Sequence, residues 1–277
     1  AGVEVLDLST LRWSSGSVPA LPQRRKWHSA CAFDDGRVVV VGGVFSANDE
    51  EAIATRTALQ WVPGAAGWTP LPDMAQQRSS AVAMALPDGR AMVVGGFGGA
   101  QQLAWVEVLA ADGSGWSALA PMGAARNLAA AAVLPCGKVL VAGGHNPGVG
   151  CLQTAELWDP ATGAWSDLPP MAEKRSGAGC CVLPSGRVAV VGGLGSDYQA
   201  LDDGEAFDPV ARTWHPLPPM ACCRYMPGAA AVAGGLVAVG GIDDVTVPNE
   251  LYDEASGRWF ELPLGEVAEQ RVFAHVA

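Results

Sequence analysis

Five pairs of adjacent glycines each close a short apolar run: Gly42-Gly43, Gly95-Gly96, Gly143-Gly144, Gly192-Gly193 and Gly240-Gly241, at spacings of 53, 48, 49 and 48 residues. A tryptophan column keeps the same beat (Trp13, Trp68, Trp116, Trp165, Trp214, Trp259), and so does an arginine column (Arg25, Arg78, Arg126, Arg175, Arg224, Arg271). A period near fifty makes the chain an array of one unit. A unit that small cannot bury its own apolar face, so neighbours must stack, and function is to be sought where units meet.

The stretch from 175 to 220 shows one unit most plainly. Arg175-Ser176-Gly177 opens it, and Ala178 to Leu183 is small and apolar. Pro184-Ser185-Gly186-Arg187 is a turn, and Val188 to Val191 runs into Gly192-Gly193. Turn chemistry between two short apolar runs predicts a hairpin. It recurs as Asp34-Asp35-Gly36-Arg37, Pro87-Asp88-Gly89-Arg90 and Pro135-Cys136-Gly137-Lys138. A polar loop of variable length then leads to a third strand, Glu205 to Asp208, and a fourth that starts at Trp214 and closes with Leu217-Pro218-Pro219-Met220. Each unit is therefore expected to hold four antiparallel strands, a to d, and no segment sustains a helical period. Small residues on strand a (Ala129 to Ala132, Ala229 to Ala231) suit strands crowding toward an axis, while the strand-d tryptophans fill the wider space between diverging sheets. Radially arranged four-stranded sheets make a β-propeller.

The double glycine, the Glu-x-aromatic-Asp of strand c (Glu156-Leu157-Trp158-Asp159, Glu250-Leu251-Tyr252-Asp253), the spaced tryptophans and the Leu-Pro-x-Met ending resemble Kelch repeats over essentially the whole chain. The expectation is an all-β, six-bladed Kelch β-propeller of four-stranded antiparallel blades forming one domain over 1–277. Blades 1 to 5 span 24–74, 75–122, 123–171, 172–220 and 221–264. The sixth is shared between the termini, with strands c and d from 1–22 and strand a from 270–277. Its strand b is missing, which leaves either a three-stranded blade or, in a longer parent, a further strand or a seventh blade.

Composition narrows the function classes. With 277 residues, 49% of them hydrophobic, the chain can bury a large core. Its 35 glycines and 20 prolines sit at repeat punctuation and read as turns. A net charge of −11 argues against a general nucleic-acid surface, and no apolar run approaches the roughly 18 residues of a membrane span. Seven cysteines, none in a CxxC spacing, point to free thiols in a reducing, intracellular compartment, expected to be the cytoplasm.

Strand parity puts the d–a and b–c connections on one face and the a–b and c–d turns on the other. The arginine column opens strand a on the first face. The b–c loops share it: Phe45 to Thr55, His145-Asn146-Pro147, Ser196-Asp197-Tyr198 and Asp243-Asp244. Arginine offers a planar fork of donors suited to carboxylate or phosphate. The resemblance to Kelch substrate adaptors of ubiquitin ligases implies that arginines here, with the serines that follow, bind an acidic peptide. Carried over, that marks Arg78-Ser79-Ser80, Arg126-Asn127 and Arg175-Ser176, with Arg25 and Arg224 matching by the arginine alone. The same arginines have another employment open to them. Acidic or amide residues begin strand c on the same face (Glu4, Gln60, Glu107, Glu156, Glu205, Glu250), and two strand spacings are about 10 Å, within an arginine's reach. Unrepeated residues, namely Trp27, His28, His145, Tyr198 and Tyr225, are then the specificity candidates.

Some Kelch-type propellers are enzymes that use copper or iron or isomerise sugars, and that is the alternative. With three tyrosines and four histidines (His28, His145, His215, His275) in different repeat contexts, and no HxH or HxxxH pair, neither a metal site nor a catalytic constellation can be assigned, and no cofactor is expected. The reading is a monomeric, non-enzymatic module that captures an acidic or phosphorylated protein segment, with substrate recruitment to a ubiquitin ligase as an analogy and no nucleic acid or membrane as partner.

Overall fold

A computed structural model describes residues 3–7, 12–45, 53–241 and 248–262. Five four-stranded antiparallel sheets follow one another along the chain, each with strands in the order a-b-c-d. Blade 1 comprises Ser29–Ala32, Val38–Val41, Ala58–Trp61 and Thr69–Leu71. Blade 2 comprises Val82–Ala85, Ala91–Val94, Val106–Leu109 and Trp116–Leu119. Blade 3 uses Ala130–Val133, Val139–Ala142, Ala155–Asp159 and Ala164–Leu168. Blade 4 uses Gly179–Val182, Val188–Val191, Gly204–Asp208 and Thr213–Leu217, and blade 5 Gly228–Val232, Gly235–Val239, Glu250–Asp253 and Arg258–Glu261. The fold is an all-β propeller of four-stranded antiparallel blades, five of them among the described residues. Blades 1 and 2 lie in one compact unit within residues 1–121, and blades 3 to 5 in a second within 122–264. No helix among the described residues is long and apolar enough to cross a membrane.

Before blade 1, Glu4–Asp7 pairs antiparallel with Arg12–Ser15, as a c–d hairpin should. The strand expected over 270–277, with Arg271 and His275, lies outside the described residues, as do Asp243 and Asp244.

Strand b is apolar on both faces: Val139–Ala142 and Val188–Val191 are buried at every position. Within the second unit one cluster joins Leu140, Leu157 and Met171 of blade 3 to Val188, Val190 and Phe207 of blade 4. At about 25 cal/mol per Å² such seams supply most of the driving force for stacking. The tryptophan column earns its period by a polar contact as well. Three indole N–H groups donate to a proline carbonyl that ends the previous strand d: Trp116 to Pro72 and Trp214 to Pro169 at 2.8 Å, and Trp259 to Pro218 at 2.9 Å. The half-buried ring thus covers the seam while its one polar group is satisfied.

The a–b turns carry basic residues that are held locally. Arg37 bonds the Gly89 and Ala111 carbonyls and stacks on Phe33, and Arg90 pairs with Asp88. Lys138 pairs with Asp159, and Arg187 with Glu254.

Candidate functional site

The repeated residues of the sequence form one joint per blade. The first glycine of each pair offers its carbonyl to the blade's own arginine: Arg25 to Gly42, Arg78 to Gly95, Arg126 to Gly143, Arg175 to Gly192 and Arg224 to Gly240. The second glycine donates its N–H to the next blade's arginine carbonyl: Gly43 to Arg78, Gly144 to Arg175 and Gly193 to Arg224, at 2.7–2.9 Å. Both glycines have left-handed φ, 67° and 92° in blade 4. A Cβ on Gly192 would stand 2.6 Å from the Arg224 carbonyl oxygen. Only glycine meets both demands.

The arginine's second nitrogen reaches a strand-c carboxylate. Arg78 pairs with Glu107, Arg126 with Glu156 at 2.7 Å, Arg175 with Glu205 at 3.4 Å, and Arg224 with Glu250 at 2.7 Å. Each glutamate also accepts backbone N–H groups from the d–a connection, two or three residues before the arginine: Ala75 and Gln76, Gly123 and Ala124, Ala172 and Glu173, and Ala221. A carboxylate with a guanidinium and backbone donors is a buried charge made tolerable by its partners. Burial lowers the Arg78 and Arg126 pKa values, and Glu107 and Glu156 act against that.

Of the two employments open to the arginines, these four have the second. Arg78, Arg126, Arg175 and Arg224 are 0–1% exposed and spend their terminal donors inside their own blades. At these positions the terminal donors are bonded and out of solvent. Ser79 and Ser176 are buried as well, each bridged to a b–c loop residue, Phe97 and Leu194. Asn127 is bridged in the same way to His145.

Blade 1 departs from the pattern. Two residues before each first glycine, strand b pairs with Glu107, Glu156, Glu205 and Glu250 in blades 2 to 5, but with Leu59 in blade 1. Gln60, read from the sequence as the blade 1 member of this column, is one residue out of register. Its side chain lies on the other face of the sheet, 3.5 Å from Arg37. The residue three before Arg25 is Pro22, which has no N–H to give. Arg25 bonds Gly42 at 3.1 Å and the Thr57 hydroxyl at 3.4 Å and stands 4.9 Å from the Phe45 ring centre.

One position per blade, two after the arginine, is left-handed: Trp27, Ser80, Leu128, Gly177 and Met226. The N–H there donates to the same position of the preceding blade: Ser80 to Trp27, Gly177 to Leu128, and Met226 to Gly177, each at 2.8 Å. Four non-glycine residues thus hold a conformation costing about 1–2 kcal/mol apiece, against one seam bond each. It turns Trp27 outward, 44% exposed.

In the second unit the unrepeated candidates converge. Blade 3 extends into a small hairpin, His145–Asn146 with Gly150–Cys151, whose tip carries Val149, 64% exposed. Tyr198, on the b–c loop of blade 4, is 54% exposed with φ 60°, and its hydroxyl is 3.5 Å from His145 Nε2. Tyr225 lies flush over Gly177, where a Cβ would stand 2.5 Å from its ring. Burial raises the Tyr225 pKa and a nearby Cys151 raises it further. Burial also raises Cys151, which Lys174 lowers and Asp197 raises. In the first unit His28 is half-buried, its pKa lowered by burial and by Arg25. Among the described residues no three His, Cys, Asp or Glu side chains converge to hold a metal ion.

Residues 126–172 and 174–221, blades 3 and 4, match the family model of the Kelch motif. These two blades carry the Kelch motif. The joints described above explain the sequence columns as seam chemistry, and Kelch propellers are in general protein-binding modules. A search of curated proteins returned no match. Sequence reading missed Val149, Cys151, Leu59 and Pro22. The first two lie in a b–c hairpin, a feature that blade 1 shares in Val44–Phe45 and Ile53–Ala54, and the last two stand out only once strand register is known.

Proposed function

We propose that this chain of Kelch-type blades is a non-enzymatic protein-interaction module whose partner is bound by the b–c loops and the exposed side chains between them, not by Arg78, Arg126, Arg175 and Arg224. The observation that carries the reading is Tyr198. A large aromatic side chain stands out of a left-handed backbone and touches His145 of the neighbouring blade, and Val149 and Tyr225 extend the same surface of the second unit. Rigid, half-solvated aromatics with few rotamers are what interface hot spots use. The strain of about 1–2 kcal/mol at Tyr198 has no seam bond of the Trp27 kind to account for it.

The finer features belong to the same proposal: a monomeric intracellular propeller, closed by a sixth blade that the Glu4–Asp7 and Arg12–Ser15 hairpin shares with the C-terminal segment. Recruitment of a substrate to ubiquitin ligation has the resemblance as its sole support. An acidic partner segment is proposed too, but with its charge contact moved to blade 1, as argued below.

The test is capture from lysate with wild type, Tyr198→Ala/His145→Ala, and Arg90→Ala as a control on the turn side of the blades. Proteins lost with the first variant and kept with the second are the expected result. Equal capture by all three overturns the assignment of the surface.

A further inference from the structure

In four of the five blades the arginine, the strand-c glutamate and the backbone N–H groups before the arginine make one closed unit. Blade 1 keeps the arginine and loses both complements together: the glutamate position is Leu59 and the leading donor is Pro22. Leu59 instead joins an apolar cluster with Leu21 and Val40. What remains is a guanidinium that can never be neutralised at physiological pH. No carboxylate stands against it among the described residues, and it has two hydrogen bonds where Arg126 has four.

A buried cation without an anion is costly, and replacement by an apolar residue is the usual relief. Blade 1 has not taken that route, although it took it for the glutamate. Arg25 is also the most open of the five described arginines of the column, at 8% exposure against 0–1% for Arg78, Arg126, Arg175 and Arg224. Its surroundings suit an incoming oxyanion. The Thr55 and Thr57 hydroxyls lie 3.1 Å apart, and the Phe45 ring covers one flank of the guanidinium. His28, next to Arg25, has a buried Nδ1 with no protein partner. Burial and the Arg25 charge lower that ring's pKa, against a backbone hydrogen bond at Arg25 that raises it, and the unbonded Nδ1 is left free to meet an incoming group.

We infer that Arg25, with Thr57 and His28, forms an open carboxylate site in blade 1, which takes from another molecule the group that Glu107, Glu156, Glu205 and Glu250 supply within the other blades. The biological carboxylate, an Asp or Glu side chain of a protein partner, rests on the interaction-module reading; the site itself does not.

Two experiments separate these. Thermal unfolding is followed at pH 7 in sodium acetate against sodium chloride at equal ionic strength. Acetate is expected to raise the wild-type midpoint saturably, by a few degrees at about ten times its Kd. Arg25→Met is expected to abolish the response. So is Pro22→Ala/Leu59→Glu, which rebuilds the internal carboxylate and its donor. A response that persists in Arg25→Met overturns the site, and so does silence in both the wild type and a variant with Asp49, Glu50 and Glu51 changed to amides. A response in that variant alone shows that the chain supplies its own carboxylate, and overturns the intermolecular proposal. Capture from lysate with Arg25→Met is the second experiment. Weakened capture supports the protein source. Full capture beside an Arg25-dependent acetate response overturns that source and keeps the site for a small carboxylate.

Discussion

Arg126→Met and Arg25→Met change the same repeat position, and the joint described above predicts opposite consequences. In blade 3 the substitution leaves Glu156, its side chain 4% exposed, without its cation. It also strips two acceptors, the Gly143 and Thr154 carbonyls, of an arginine donor. Breaking one side of a buried pair costs about 3–5 kcal/mol. For a chain of this size that is roughly 10 °C in the unfolding midpoint. In blade 1 the loss is two hydrogen bonds and one cation–π contact, each about 1 kcal/mol, offset by removal of an unpaired buried charge, so the net change is expected within about 1 kcal/mol. The double variant Arg126→Met/Glu156→Leu, which copies the Leu59 solution, is expected to recover most of the loss. Urea unfolding followed by tryptophan fluorescence measures all three. Equal destabilisation by the two single variants, or a neutral Arg126→Met, would refute the reasoning.

Other consequences of the geometry are open to measurement. Gly192→Ala puts a methyl against the Arg224 carbonyl at a left-handed position and is expected to cost more than 2 kcal/mol, whereas Gly163→Ala, also left-handed but with open space around it, should cost about 1 kcal/mol in the same denaturation assay. Trp214→Phe keeps a ring in the seam but deletes the bond to Pro169, for a loss of about 1 kcal/mol, most of it visible as faster unfolding. Burial pushes the Cys31 and Cys181 thiols up to about 12 and Cys180 well above its usual value, so a thiol reagent at pH 8 should label exposed Cys136 promptly and those three only on unfolding. Asp88 is held below the usual carboxylate range by its bond from Arg90, and Glu254, which burial alone would raise, is held low by Ser185 and Arg187. Depressed folded values mean stability that is complete above about pH 4.5 and lost as the pH falls through them. The unfolding midpoint should therefore hold from pH 7 to 5 and drop below pH 4, less steeply in Glu254→Gln.

The blade and its strand order were legible in the sequence because their causes are local. Turn residues at fixed offsets, apolar runs of strand length and a glycine pair recurring near fifty residues leave a hairpin array as the solution, and stacking follows because each sheet is apolar on both faces. The arginines were legible as a column, but their employment was not. A guanidinium that opens strand a can face solvent or reach across two strands, and the two choices differ only in which residue of strand c lies opposite. Strand pairing decides that, and a slip of one residue moves a side chain to the other face of the sheet. That is why Gln60 reads from sequence as a member of the glutamate column, while in the fold Leu59 occupies the position. The contact of Tyr198 with His145, 53 residues away on the preceding blade's loop, likewise exists only once two sheets are stacked. Sequence determined what each blade is made of; which charges are closed off and which is left open was decided by register and by the seams between blades, because burial and pairing are properties of neighbours that the chain brings together only when folded.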